Sequence, residues 1–150
     1  MAVKKVAILS PGDMGHAVGR ALAEHGIEIL TSLAGRSERT QTLARAAGFK
    51  EVPTLEDVVS EADLVLSILV PSHAETFARE LAAALKNTGA APYIADCNAI
   101  SPIRSAMIEV LIDSAGGKFI DGSIIGGPPG PGVPPRFYVC LLYTSDAADE

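Results

Sequence analysis

The sequence contains few cysteines, few aromatic residues and no long run of positive charge. Only two cysteines, Cys97 and Cys140, occur in 150 residues, and neither belongs to a C-x-x-C motif or lies in a histidine cluster. A disulfide framework and a metal site are therefore not indicated. The formal net charge is -6 and no basic run exceeds Lys4-Lys5, so we expect no nucleic-acid partner.

Long hydrophobic runs are also missing. The apolar stretch after Lys4-Lys5 spans only residues 6–9, which is too short for a signal-peptide core, and no stretch has the length of a membrane span. We therefore expect a soluble cytoplasmic protein without a membrane partner. With 48% apolar and 20% charged residues, the composition is that of one globular domain.

Short apolar segments alternate with segments of helical periodicity along most of the chain. The predicted strands are residues 3–9, 27–33, 49–52, 63–70, 92–98 and 118–125. The predicted helices begin after Gly12, after the candidate N-caps Ser37, Thr54 and Ser101, and at about residue 73. This alternation predicts an α/β protein with a doubly wound parallel sheet, the Rossmann fold. A Gly/Pro-rich segment at 126–135 then interrupts regular structure, and "RFYV" begins a further strand.

The stretch "SPGDMGHAVG" at residues 10–19 lies between the first strand and the first helix. In a G-x-G-x-x-G turn the glycines allow a tight turn, a close approach of the pyrophosphate and close packing of helix on strand. Gly12 and Gly15 occupy the second and third positions, whereas Ser10 replaces the first glycine. Because the strand-turn-helix context is the one that the motif requires, we predict a nucleotide site here, with Asp13 and Met14 part of it.

The end of the second predicted strand indicates the choice of cofactor. An enzyme that selects NAD typically has Asp or Glu there, whereas a 2′-phosphate requires Arg and hydroxyl donors. The sequence "LAGRSERT" at residues 33–40 places Arg36 and Ser37 at this point and has no carboxylate at 31–37. We therefore predict NADP in preference to NAD. For Arg39, a role on a solvated helix surface is an equally good explanation.

Five segments in order resemble the N-terminal domain of the β-hydroxyacid dehydrogenase family, which includes 6-phosphogluconate and 3-hydroxyisobutyrate dehydrogenases. The resemblance covers roughly residues 3–139. The segments are "PGDMGHAVGRALAEHG", "AGRSERT", "ADLVLSILVPSHAE" and the pair "DCNAISP" and "FIDGSIIGGPPG".

This resemblance implies an NADP-dependent oxidoreductase that transfers hydride between the nicotinamide and the alcohol carbon of a small hydroxyacid. It also implies that Leu69, Val70 and Pro71 pass over the cofactor. The substrate side would be lined by Asn98, Ser123, Gly126 and Gly127.

The substrate motifs depart from the family pattern. Asn98-Ala99 stands where Ser-Thr is common, and Ile125 replaces the serine of V-S-G-G. Both changes remove hydroxyl groups near the expected substrate carboxylate, so a related imine reductase is an alternative, and a nucleotide-sensing domain without catalysis is another. Asp96 and Asp121 are expected to end strands and bind local backbone amides, and Cys97 is expected to be a buried apolar residue.

Residues 140–150, "CLLYTSDAADE", resemble a translated transposase adaptor from sequencing-library preparation. We therefore expect an NADP-binding domain over residues 1–139 and a non-native tail over 140–150. The family's proton-transfer lysine belongs to a helical C-terminal domain beyond these strands. The resemblance thus implies that the complete protein is a homodimer and that this fragment is inactive alone.

Overall fold

Residues 2–140 are described by the computed structural model. Cys140 is the last of them, so the predicted tail at 140–150 otherwise lies outside the described residues. The strands are β1 (Lys5–Ile8), β2 (Glu28–Thr31), β3 (Lys50–Glu51), β4 (Leu64–Ser67), β5 (Tyr93–Asp96), β6 (Lys118–Ile125) and β7 (Arg136–Cys140). The helices are α1 (Asp13–Ala23), α2 (Glu38–Ala46), α3 (Leu55–Glu61), α4 (Ala74–Thr88) and α5 (Pro102–Ser114), and a single 3-10 turn at Pro71–His73 precedes α4.

The strands form one sheet in the order β3-β2-β1-β4-β5-β6-β7. All neighbours are parallel except β7, which pairs antiparallel with β6. The predicted doubly wound α/β sheet is therefore confirmed. Chain order reverses between β1 and β4, so the loops after these two strands diverge and open a crevice at the carboxyl edge, where Rossmann folds bind their ligands.

Each face of the sheet has its own hydrophobic core. One core joins β1, β2, β4 and β5 to α3, α4 and α5, and includes Val58, Leu81 and Ile108. The other joins the opposite face to α1 and α2, and includes Val18 and Ala44. Adjacent β4 residues point into the two cores, which explains why this strand is apolar without alternation.

An apolar hollow of about 460 Å³ lies on the face that carries α1 and α2. Leu66, Ala95 and Cys97 form its floor, and Phe137 and Val139 of β7 form part of its rim. Both rim side chains are exposed. This face of the sheet therefore presents apolar surface between α1 and the β7 edge.

Two local predictions need correction. The strand predicted over 63–70 ends at Ser67, and residues 68–70 leave the sheet as a loop. Asp121 lies inside β6 and does not end a strand, because β6 continues to Ile125 to pair with β7.

We expect Gly19→Val to destabilise the fold. Gly19 lies in α1 against Phe49, and a β-carbon at this position would stand 2.1 Å from the ring Cζ. Phe49 is itself buried, so the ring has to shift within the core, and overpacking of this kind costs about 1–3 kcal/mol. Urea denaturation would measure the loss. Arg20→Ala, an exposed change on the same helix, should alter the free energy of unfolding by less than about 0.5 kcal/mol.

We also expect acid to remove a contribution of Asp63 to stability. Its Oδ2 accepts the backbone N–H groups of Lys4 and Lys5, each at 2.9 Å, which ties the start of β4 to β1. These hydrogen bonds lower the pKa of Asp63 below its ordinary value. The carboxylate therefore stabilises the folded state above the unfolded pKa of about 3.9, and this contribution is lost as pH falls through the lowered folded pKa.

Asp63→Asn should accordingly lower the urea midpoint at pH 7. The difference from the parent chain should shrink as the pH falls below about 4. A difference that stays constant between pH 7 and pH 3 would contradict the assignment.

Candidate cofactor and substrate clefts

The turn after β1 adopts the geometry of a phosphate-binding turn without its first glycine. The Gly12 N–H donates to the carbonyl of Ser10 at 2.7 Å, which closes the turn. Among the described residues only glycines have positive φ, so Ser10 takes the first position without backbone strain. A β-carbon at Gly15 would approach Ile8 Cγ2 to 3.2 Å, which fits the predicted close packing of helix on strand.

The N-terminus of α1 lacks the side-chain cap that α2, α3 and α5 have. Ser37, Thr54 and Ser101 each cap their own helices with a side-chain oxygen, as predicted. At the N-cap Gly12, no side-chain oxygen of residues 2–140 accepts a first-turn amide of α1, and the His16 ring Nδ1 contacts only the Gly12 carbonyl, at 2.8 Å. A β-carbon at Gly12 would meet no heavy atom within 4 Å. Free amides and empty space therefore coincide at a positive helix end, where an anion is stabilised.

This helix end faces a cleft of about 380 Å³. The loop after β4 forms the opposite wall, as expected for two loops that diverge at the reversal of strand order. The predicted cofactor residues that line the cleft are Gly12, Asp13, Met14, Gly15, Leu69, Val70 and Pro71. Ser10, Thr40, Ile68 and His73 complete the lining.

Arg36 lines an adjoining cavity of about 260 Å³. Ser10, Leu69 and His73 border both spaces, so the two cavities are neighbours. The Arg36 backbone is fixed by a bond from its N–H to Leu33 and a bond to its carbonyl from Gln41, each at 3.0 Å. Its guanidinium forms no salt bridge within residues 2–140, so it is available to an anion.

Ser37 and Arg39 are engaged in local contacts. The Ser37 hydroxyl accepts the Thr40 N–H at 3.2 Å and donates to Thr40 Oγ1 at 3.0 Å, and this residue lines neither cavity. Arg39 forms an ion pair with Asp13 across α1 and α2. Because both side chains of that pair are largely exposed, the pair adds little stability and can exchange partners.

A third cavity, of about 350 Å³, lies beside the carboxyl end of β5 and the middle of β6. Two of the predicted substrate residues, Asn98 and Ser123, line it. Gly126 and Gly127 follow the end of β6 and lie outside its lining. The Asn98 side chain bonds to the β4 loop: Oδ1 accepts the Leu69 N–H at 2.6 Å, and Nδ2 donates to Ser67 Oγ at 3.0 Å.

Several lining residues were not predicted from the sequence. Asp121 and Tyr138 line the third cavity, because β6 and β7 pair with Ser123 opposite Tyr138. Thr76 and Glu80 line the Arg36 cavity from α4. Helical spacing from His73 offered a signal for the α4 residues, whereas the β6–β7 register follows from tertiary pairing across the Gly/Pro segment.

Burial governs the electrostatics at the end of β5. Burial raises the pKa of Asp96, an effect partly offset by the hydrogen bond that Asp96 Oδ1 accepts from the Asn98 N–H at 2.9 Å. This contact confirms the predicted local backbone role of Asp96. Burial, together with the charges of Asp96 and Asp121, raises the pKa of Cys97 to about 12. The thiol therefore stays protonated at neutral pH and is a poor nucleophile.

Two features are absent from residues 2–140. No group of three or more His, Cys, Asp or Glu side chains there is arranged to hold a metal ion. No helix in this part of the chain is long and apolar enough to cross a membrane.

Comparison with known proteins gives a family and a fold. Residues 5–90 match the family described as NADP oxidoreductase, coenzyme F420-dependent. Over 100 residues the chain is 33% identical to an uncharacterized 28.5 kDa protein of Methanothermus fervidus, a match that covers 67% of this chain and 37% of that protein.

Solved structures share the fold over most of the chain. A conserved protein of unknown function with structural similarity to 3-hydroxyacid dehydrogenases superposes with a TM-score of 0.78 and 30% identity, over 90% of this chain and 49% of that one. The 3-hydroxyisobutyrate dehydrogenase of Mycobacterium tuberculosis superposes with a TM-score of 0.69 and 22% identity, over 84% of this chain and 42% of that one. An imine reductase variant from Myxococcus stipitatus, in complex with NAD+, superposes with a TM-score of 0.66 and 21% identity, over 85% of this chain and 42% of that one. The chain thus spans half or less of the length of these relatives.

Proposed function

Because the chain belongs to the family described as NADP oxidoreductase, coenzyme F420-dependent, we propose that it is the NADP-binding part of an oxidoreductase of small acids. The family match and the shared fold both support an NAD(P)-binding domain of oxidoreductase type. The family match ends at residue 90, before the residues of the third cavity. It therefore supports the nucleotide site and does not bear on the substrate.

The observation that carries the proposal is the open N-terminus of α1. The amides of Asp13, Met14 and Gly15 would hold the pyrophosphate, since the helix end is uncapped and Gly12 leaves the space in front of it empty. Leu69, Val70 and Pro71 would form the opposite wall. A pyridine nucleotide therefore fits the residues present.

Preference for NADP rests on Arg36. Arg36 lines the cavity next to the pyrophosphate cleft, and an arginine fork binds phosphate oxygens bidentately. No carboxylate is present between residues 31 and 37 to bind a free ribose 2′-hydroxyl. Ser37 at the N-cap of α2, next to Arg36, stays a predicted second contact.

A small hydroxyacid is the proposed substrate class, with the third cavity as its site. When bound, the nicotinamide accepts or supplies the hydride, and the protein contributes orientation and electrostatics. Ser123 offers a hydroxyl to a polar substrate, and Gly126 and Gly127 stay predicted substrate contacts through their backbones. The apolar hollow beside β7 supports a further helical domain packed on this face, and we propose that the complete protein is a homodimer built through that domain.

The test is a fluorescence titration of the chain with NADPH and with NADH. Saturable NADPH binding that is at least tenfold tighter than NADH binding would support the proposal. Binding of neither nucleotide by folded protein would overturn it, and equal affinity would overturn the NADP preference alone. Assay of the complete gene product on hydroxyacids and on cyclic imines then separates a dehydrogenase from an imine reductase.

A further inference from the structure

We propose that Asn98 is a positioning residue for the cofactor cleft, because its side chain holds the loop after β4. The proposal rests on the proposed function, because it assigns Asn98 to the nucleotide site described above. The juxtaposition that carries it is the bond from a buried side-chain amide at the end of β5 to the loop that walls the cofactor cleft.

Asn98 is only 6% exposed, and both ends of its amide are engaged. The Leu69 N–H is a donor, so it must face Oδ1, which leaves Nδ2 toward Ser67 Oγ. The Asn98 backbone N–H is held in turn by Asp96. The orientation of the side chain is therefore fixed by two elements, β4 and β5, before any ligand arrives.

The bond to Leu69 continues the sheet where its main-chain pairing stops. The last β4–β5 pair is Ser67 with Asp96, and the Cys97 N–H donates to the Ser67 carbonyl at 3.0 Å. The next bond of an evenly spaced parallel ladder would use the Leu69 N–H. Asn98 Oδ1 takes this donor in place of a main-chain carbonyl, so residues 68–70 turn out of the sheet without leaving the amide unpaired.

The location of Leu69 gives this bond a consequence for binding. Leu69 lines both the cleft in front of α1 and the Arg36 cavity. A shift of its peptide would therefore move the common wall of both spaces. Asn98 also lines the third cavity. It therefore lies between the proposed substrate site and Leu69, the cofactor-cleft residue whose amide it binds.

The experiment compares Asn98→Ala, Asn98→Asp and the unmodified chain by two measurements. Hydrogen exchange of the Leu69 amide, followed by NMR without nucleotide, reports the bond itself. NADPH fluorescence titration reports its consequence. In Asn98→Ala we expect Leu69 exchange to accelerate about tenfold and NADPH affinity to fall about three- to tenfold, the range of one neutral hydrogen bond.

Asn98→Asp tests the acceptor specifically. It keeps an oxygen for the Leu69 N–H, and the Ser67 hydroxyl can reverse to donate, so Leu69 protection should return toward that of the unmodified chain. Ser105→Ala is the matched control, because Ser105 is equally buried at 6% exposure but lies on α5 outside the cofactor cavities. It should change neither measurement. If Asn98→Ala does not fold, Ser67→Ala removes one anchor of the amide and should produce the same changes at smaller size.

Unchanged Leu69 exchange in Asn98→Ala would overturn the proposal. Faster exchange with unchanged NADPH affinity would also overturn it, since Asn98 would then serve only the fold. If the unmodified chain does not bind NADPH, the proposed function fails and the cofactor role of Asn98 with it. Leu69 exchange still decides in that case whether Asn98 holds the loop.

Discussion

Replacing Gly12 by valine is expected to abolish NADPH binding while leaving the fold intact. Gly12 has a φ of -78°, which valine can adopt, and a β-carbon there would contact no protein atom. The added side chain would instead occupy the space in which the pyrophosphate approaches the backbone. We expect the dissociation constant to rise about 100-fold or more, and the free energy of unfolding to change by less than about 1 kcal/mol.

Two other glycines provide the controls for this prediction. Gly130→Val, in the Gly/Pro segment, adds the same bulk away from the cleft and should leave NADPH binding unchanged. Gly15→Val should weaken both binding and stability, because its β-carbon would press on Ile8 and on the Ser10 carbonyl at 3.2 and 3.3 Å. Normal NADPH affinity in folded Gly12→Val would show that the pyrophosphate does not bind at this turn.

Arg36→Ala is expected to remove the preference for NADPH over NADH. A charged hydrogen bond of the kind proposed for Arg36 contributes about 1.5–3 kcal/mol, so NADPH affinity should fall by about 10- to 100-fold. NADH lacks the 2′-phosphate, and its affinity should change by less than about threefold. Because the interaction is between charges, the difference between the two nucleotides should also narrow at high salt in the unmodified chain.

Arg45→Ala is the matched control for Arg36. Arg45 is an exposed arginine of α2 that already pairs with Glu51 at 3.8 Å, and it lies outside the cofactor cavities. Its removal takes away the same charge from the same region of the chain. An equal loss of NADPH affinity in both variants would indicate that any positive charge in this region attracts the nucleotide at long range. It would contradict a specific contact between Arg36 and the 2′-phosphate.

Features that depend on short stretches of sequence were predictable. The caps at Ser37 and Thr54 are side-chain bonds to the amide three residues later, so local spacing specifies them. The glycine turn is similarly local, because the role of each glycine depends on the strand before it and the helix after it. Strand and helix alternation then restricted the topology to a doubly wound sheet.

Features that depend on pairing between distant segments were not predictable. Residues 68–70 are as apolar as the strand before them, and the side chain that takes the Leu69 amide after β4 ends at Ser67 is Asn98, which follows β5 about thirty residues along the chain. Asp121 and Tyr138 share a cavity because β7 returns antiparallel beside β6. That register is specified by tertiary packing across the Gly/Pro segment, which short-range sequence patterns do not reveal.

The central claim is that a pyridine nucleotide binds at the open end of α1. The most direct measurement is an NMR titration of the isotopically labelled chain with NADP+, in which backbone amides are followed individually. We expect saturable shifts of the amides of Asp13, Met14 and Gly15, together with that of Leu69 across the cleft. Saturable binding that leaves these amides unmoved, or no binding by the folded chain, would contradict it.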